Sequence, residues 1–207
     1  MHPEIETWYR GLYDENYARL NAKHSTVMMS PSDEVVEARK HAKLGIGLDI
    51  GCGRGGNTLF LAEAGFKMKA FDLSPSAIKN LREEAEKRRL EIEAVAGNFL
   101  HELLPFKFNI VVASYIFDHF EEDEAHYIVR RMQEKTQKGG VNVVTTFGHG
   151  TIEHPDAAIR HHHFKMDELL RLYRGWQIIR CEKTRKNDMN LPHKFPVLKL
   201  VAKKTAA

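Results

Sequence analysis

The chain has little of what would take it out of the ordinary globular class. Its two cysteines, Cys52 and Cys181, cannot build a disulfide framework and lack the paired spacing of a metal site, which suits a reducing compartment. Seven prolines and 14 glycines without a period exclude collagen-like and low-complexity chains. The longest apolar run, 110–117, is far below the roughly 20 residues that a membrane span requires. The opening Met1-His2-Pro3-Glu4 has neither the basic nor the apolar part of a signal peptide, so a soluble cytoplasmic protein with no membrane partner is expected. Charge of one sign is also scarce. The 31 basic residues stand against 28 acidic ones, and in stretches such as 83–89 they are interleaved with Glu as on a solvated helix face. No nucleic-acid partner is expected from that distribution. What is present is 43% apolar residues, enough for one core, and an unusual 12 histidines.

Apolar residues recur at spacings of three and four from Ile5 to Leu20, which predicts an amphipathic helix. A second helix is expected after Ser30 as cap and Pro31 in the first turn. Strands and helices then alternate: strands over 46–50, 67–71, 92–95, 109–113 and 141–147, with helices over 58–64, 74–90 and 121–136. Such alternation implies right-handed crossovers and a parallel sheet covered by helices on both faces. The end differs. After a helix over 166–173, the strands 176–184 and 195–202 are separated by about ten residues, too few for a helical crossover, so they must pair antiparallel. The expected fold is α/β and Rossmann-like, a parallel five-stranded sheet finished by an antiparallel C-terminal hairpin, seven strands in all. Residues 1–43 are expected to form an N-terminal helical lid on a ligand-binding domain spanning 44–207.

The first strand runs into Asp49-Ile50-Gly51-Cys52-Gly53-Arg54-Gly55-Gly56-Asn57 just before a helix. Glycines there permit a tight turn and let a ligand approach the backbone without a Cβ in the way. Asp72, 21 residues after Gly51 and at the end of the second strand, is placed to accept both hydroxyls of a ribose lying over the loop. These features admit a dinucleotide or S-adenosylmethionine. A carboxylate as close as Asp49 suits a ligand carrying a cationic amino acid and is awkward beside a pyrophosphate, and the hairpin ending does not belong to the dinucleotide topology. S-adenosyl-L-methionine is therefore the expected cofactor, with NAD as the alternative.

The run Leu48-Asp49-Ile50-Gly51-Cys52-Gly53-Arg54-Gly55, the later Phe71-Asp72-Leu73-Ser74 and the Lys138-Gly139-Gly140 turn resemble the class I S-adenosylmethionine-dependent methyltransferases. Asp14-Glu15-Asn16-Tyr17, His24-Ser25, Asn57 with Leu61-Ala62, and Tyr173-Arg174-Gly175-Trp176 are similar to the tellurite-resistance methyltransferase TehB and its relatives. The resemblance implies that Gly51 and Gly53, with Cys52, Asp49 and Asn57 around them, line the methionine part, that Asp72 holds the ribose, and that Leu73 packs on adenine. It places Asn98 and Phe99 at the adenine edge, with Asn98 accepting from the adenine amino group, and Ser114 and Tyr115 beneath the sulfonium. Tyr17 and His24 would belong to the lid. The implied activity is methyl transfer to a small acceptor, a thiol or a metalloid oxyanion such as tellurite or selenite; transfer to oxygen or nitrogen of another metabolite and cofactor binding without catalysis remain open.

The sulfonium brings its own electrophile, so the protein must supply proximity, alignment and a dry pocket, with a base only for a protonated acceptor. Tyr115, Asp118 and His119 after the fourth strand are candidates for contact with the acceptor. The run His161-His162-His163 cannot converge on one point, because neighbours on an extended segment alternate sides, so no metal is expected there; His162, or else the pair His161 and His163, is the candidate for the pocket. Arg185, His193 and Lys194 on the hairpin would form a cationic rim if the acceptor is anionic.

Overall fold

Branched and small apolar residues fill the short segments that the glycines punctuate, and these become the strands of one sheet. The computed structural model describes residues 3–22, 30–150, 162–187 and 194–205. Its elements run α1 (Pro3–Ala22), α2 (Asp33–His41), β1 (Ile46–Ile50), α3 (Gly56–Glu63), β2 (Lys67–Asp72), α4 (Pro75–Arg88), β3 (Ile92–Ala96), β4 (Phe108–Ser114), α5 (Glu122–Lys135), β5 (Thr136–Phe147), α6 (Met166–Leu172), β6 (Gln177–Asn187) and β7 (Lys194–Lys203). Single 3₁₀ turns follow β3 and β4, at Phe99–His101 and Phe117–His119.

The sheet has the order β3-β2-β1-β4-β5-β7-β6. The first five strands are mutually parallel, and β7 runs antiparallel to both its neighbours, β5 and β6. The expected five parallel strands and closing hairpin are both present. The sequence did not reveal that the last strand inserts between β5 and β6, which leaves β6 at the edge.

Alternation along β4 shows how both faces are covered. Val111 and Ala113 join a cluster with Ile128, Val129, Met132, Phe164 and Leu169 under α5 and α6. Ile110 and Val112 face the other way, onto Val35, Ala38, Leu61 and Phe66 from α2, α3 and the turn after α3. Each fully buried aliphatic or Phe side chain contributes about 1.5–3 kcal/mol relative to exposure, so a strand buried on both faces anchors the whole sheet.

Two expectations shift. The cap of α2 is Ser32, not Ser30, and its side chain makes no capping bond; its N–H and hydroxyl are both directed to Asn57. β5 begins at Thr136, before the Gly139-Gly140 turn, with a register shift against β4 between Phe108 and Ile110. That extension is held by reciprocal backbone bonds between Gly139, Gly140 and Lys204. The first two helices attach differently: Val35 and Ala38 of α2 are fully buried against the sheet, whereas α1 is bonded to Ser76 at the start of α4 and to Asn98 and His119 after β3 and β4. Among the described residues no helix is long and apolar enough to cross a membrane.

Candidate functional site

The carboxyl ends of β1, β2, β4 and β5 and the adjoining ends of β6 and β7 open into one cavity of about 1030 Å³. That is at the upper end of the roughly 300–1,000 Å³ typical of small-molecule sites, and it leaves room for more than one reactant.

Its floor is the loop after β1. Gly51 and Gly53 adopt φ of +69° and +53°, left-handed values that L side chains rarely take. A Cβ on Gly51 would sit 2.2 Å from Ile116 Cγ2, and one on Gly53 would sit 2.8 Å from the Tyr17 hydroxyl. The loop is therefore a cradle only glycine can form. Asp72, at the end of β2, closes it: one carboxylate oxygen accepts from the Gly53 N–H at 2.7 Å and the other from the Ser74 N–H at 2.9 Å. Burial pushes the Asp72 carboxyl upward, and these two N–H bonds counter it. Each oxygen keeps a lone pair for a ligand hydroxyl. Leu73, Gly97, Asn98 and Phe99 line the adjoining slot. Asn98 Oδ1 already accepts from the Leu100 N–H at 3.0 Å, and its amide donates to Glu6 at 2.9 Å.

Helix α1 forms the roof. Tyr9, Tyr13 and Tyr17, spaced by four, lie on one helical face and line the cavity, while Trp8 and Leu12 face solvent. Asp14 fixes the helix by accepting from the Ser74 hydroxyl at 2.8 Å and the Ser76 N–H at 2.7 Å. The Tyr13 hydroxyl lies 2.9 Å from His119 Nε2, and Tyr9 packs on the same imidazole with ring centroids 4.4 Å apart. Burial raises the pKa of Tyr13 and Tyr17 and pushes Tyr9 up to about 12, so all three are neutral donors at physiological pH.

At the far end the cavity is walled by Tyr115, Phe147, Phe195, Glu34, Lys199 and Arg185. Tyr115 has φ +55°, unusual for a bulky residue, and its ring lies 5.2 Å from that of Phe147. Burial, with Glu34 adding, pushes its hydroxyl up to about 12. Glu34 accepts from the Thr145 hydroxyl and pairs with Lys199 at 3.0 Å; Lys199 also pairs with Asp33. Arg185 has no ion-pair partner at this distance among the described residues. Two buried polar atoms aimed at this space, Ser114 Oγ and Tyr9 Oη, have no hydrogen-bond partner among the described residues. The cavity wall carries five carboxylates, Asp33, Glu34, Asp72, Asp118 and Glu182, against Arg54, Arg185 and Lys199. Three of these carboxylates, Asp33, Glu34 and Glu182, are already paired with Arg180 or Lys199.

Most residues expected at the site come together here: Tyr17, Gly51, Cys52, Gly53, Asn57, Asp72, Leu73, Asn98, Phe99, Ser114, Tyr115, Asp118, His119 and Arg185 all line the cavity. Asn57 does so with its amide oxygen spent on Ser32, which makes it a tie between α2 and α3. The Cys52 thiol is pushed well up by burial with Asp72 and Asp49 adding, so it stays protonated and packs. Asp49 is not in the wall. It is 1% exposed beneath the loop and accepts from the Thr58 hydroxyl at 2.6 Å, because β1 turns this side chain into the α3 contact. His162 is also elsewhere; its ring points to Glu168 on α6. His24, His161 and His193 lie outside the described residues, as does the Lys194 side chain. Tyr9, Tyr13, Arg54, Glu34 and Lys199 are in the wall but were missed. A spacing of four among tyrosines was the only sequence signal for the first two, Arg54 stood in the glycine loop without being given a role, and Glu34 and Lys199 are brought in by tertiary packing alone.

Burial, with Asp72 adding, pushes Asp49 up to about 7. A folded Asp49 then holds a proton that the unfolded chain releases above about pH 4, so the stability linked to it is complete below that pH and is lost as pH rises toward 7. Asp49→Asn keeps an acceptor for Thr58 and has no such loss. The expected result is a melting-temperature advantage of Asp49→Asn over the wild type that grows from pH 5 to pH 8; parallel profiles would contradict the assignment.

Comparison with known proteins bears on this cavity. The family described as tellurite resistance protein TehB matches residues 12–194. The chain is 30% identical over 135 residues to hemagglutinin 1 of Eikenella corrodens, covering 65% of this chain and 45% of that protein. It is 26% identical over 172 residues to the probable S-adenosyl-L-methionine-dependent methyltransferase TehB of Haemophilus influenzae, covering 80% and 60% of the two. The crystal structure of TehB from Haemophilus influenzae superimposes with a TM-score of 0.74 at 22% identity, covering 84% of this chain and 62% of that one. The chain thus spans between about half and three-fifths of the length of these proteins.

Proposed function

The chain belongs to the tellurite resistance protein TehB family, and from that premise we propose that it is a cytoplasmic S-adenosylmethionine-dependent methyltransferase whose acceptor is a small thiol or a metalloid oxyanion such as tellurite or selenite. The observation that carries the reading is the junction of the glycine cradle and Asp72 with a second compartment beyond Ser114 and Tyr115, inside one cavity. The residues present fit the cofactor. Gly51 and Gly53 leave backbone exposed where a Cβ would collide, and Asp72 has acceptor capacity to spare. Ser114 Oγ is a buried hydroxyl lacking a described partner and lines the same cavity.

When bound, S-adenosylmethionine supplies an electrophilic methyl group on a sulfonium. The chain's own residues do the rest. Asp72 would hold the ribose, and Leu73 and Phe99 line the adjoining slot that would take the base. Arg54, buried in the loop and lining the cavity, would be the cation for the amino-acid carboxylate. Helix α1 acts as a lid whose three tyrosines exclude water from the reacting centre. Tyr115, Phe147 and Phe195 shape the acceptor compartment. An oxyanion requires no base there, whereas a thiol must lose its proton, and His119 in the wall is the imidazole that could take it once its Nε2 exchanges the Tyr13 hydroxyl for the acceptor. The two thiols, Cys52 and Cys181, are free, in keeping with a reducing compartment.

Lys199 is neutralised by Asp33 and Glu34, which leaves Arg185 to attract an anionic acceptor at the mouth. The test is transfer of labelled methyl from S-adenosylmethionine to tellurite, selenite, small thiols and neutral amines or alcohols, with wild type and Arg185→Gln. We expect transfer to anions or thiols, a several-fold rise in acceptor KM in Arg185→Gln with cofactor affinity unchanged, and a weaker dependence of its kcat/KM on salt. Transfer only to neutral amines or alcohols would replace the acceptor class. Cofactor binding with no transfer to any acceptor would favour a non-catalytic module.

A further inference from the structure

The histidine-rich region beside α6 has no part in the cavity described above. His126 of α5 and His162 both direct Nε2 at the same Glu168 oxygen, Oε1, at 2.6 Å and 2.8 Å. The three ligand-type atoms all lie within 4.8 Å of one another, and the side chains are mostly buried, at 20%, 12% and 14% exposure. The second carboxylate oxygen, Oε2, accepts from the Lys165 N–H at 3.1 Å, which fixes the carboxylate as the first turn of α6 forms. Phe164 holds both imidazoles, with centroids 4.5 Å from His162 and 5.9 Å from His126. The atoms face a second cavity of about 540 Å³ that His149, His163 and Glu122 also line, and none of its lining residues belongs to the first cavity.

We propose that His126, His162 and Glu168 bind one divalent transition-metal ion of the zinc type. Two imidazole nitrogens and one carboxylate oxygen form a ligand set that borderline cations prefer to calcium or magnesium. Zinc–nitrogen and zinc–oxygen bonds of about 2.0–2.2 Å space tetrahedral ligand atoms about 3.3 Å apart, so an outward movement of roughly half an ångström at each side chain admits the ion. The fourth position falls on the open side, to water or to His149 or His163. Glu168 is oriented by Lys165, the kind of outer support that metal-ligating groups require. The three ligands come from α5, from the segment before α6 and from α6, so the ion fastens these pieces together. That segment is tied in turn to Phe120 in the wall of the first cavity, through the His162 N–H to Phe120 oxygen bond at 3.0 Å, and to the residues just after β5 through the His149 N–H to Phe164 oxygen bond at 2.9 Å. The site is thus a structural clamp behind the acceptor compartment, and it stands whether or not the proposed methyl transfer does. The expectation that the His161–His163 run holds no metal considered those three residues together; a single member meeting His126 and Glu168 is a different arrangement.

The test is calorimetric titration of the wild type with Zn²⁺ against a competing chelator, alongside His126→Gln/His162→Gln, Glu168→Gln and the control His41→Gln/His101→Gln. The wild type and the control should bind one equivalent tightly and gain melting temperature in excess Zn²⁺. The double variant should lose more than about 100-fold in affinity, beyond the 10- to 100-fold typical of losing an outer-shell partner alone. Co²⁺ added to wild type provides a readout that no variant's folding affects: visible bands of four-coordinate cobalt, abolished by Zn²⁺, are expected. No stoichiometric binding by wild type, equal affinity in the double variant, or a six-coordinate cobalt spectrum would each overturn the site and leave a His–Glu–His hydrogen-bonded cluster in its place.

Discussion

Asp72→Ala is expected to weaken S-adenosylmethionine binding about ten- to a hundredfold. Two ribose hydroxyls would lose a charged acceptor, and hydrogen bonds to charged groups are worth about 1.5–3 kcal/mol. The substitution also removes the acceptor of the Gly53 and Ser74 N–H groups, so the cradle itself would loosen. The fold should survive, because burial already penalises the Asp72 charge and the neighbouring core around Phe71 does not depend on it. Calorimetry on Asp72→Ala and Asp72→Asn separates the contributions. The amide keeps one oxygen for an N–H but has no charge, and it should bind between the wild type and Asp72→Ala. Wild-type affinity in a folded Asp72→Ala protein would remove this residue from the cofactor site.

Gly53→Val should abolish detectable binding. At φ +53° a β-branched residue is strained, and its Cβ would start 2.8 Å from the Tyr17 hydroxyl on the lid. The valine methyl groups would then fill the space between loop and lid that a ligand must enter. Strain in this backbone region costs about 1–2 kcal/mol, a destabilisation visible as a lower melting temperature without loss of the fold. Retained binding in this variant would mean that the ligand does not approach the backbone at Gly53.

The parts of this site that were legible in the sequence are local ones. Gly51, Gly53 and Asp72 stand at strand ends whose positions follow from short apolar runs and turn residues, and a parallel sheet brings adjacent strand ends together. Ser114 and Tyr115, at the end of β4, were assigned through the resemblance to the methyltransferases. Glu34 and Lys199 were not legible, because a helix residue and a C-terminal strand residue meet only after β7 inserts beside β5. Tyr9 and Tyr13 were read as part of an apolar helix face; the docking of α1 on Ser74 and Ser76 turns that face over the cavity. Asp49 was read from its nearness to the loop, but strand alternation sends its side chain below the loop, where it meets Thr58. His162 was assigned to the pocket from its place before the last helix, and only the fold shows that α5 and α6 supply a nearer partner.

The central claim is that the cradle between β1 and β2 takes S-adenosylmethionine. Its most direct measurement is calorimetric titration of the wild-type chain with S-adenosylmethionine and, separately, with NAD. The account predicts one saturable site for S-adenosylmethionine, displaced by its demethylated product, and no binding of NAD. Heat of binding from NAD with none from S-adenosylmethionine would contradict it.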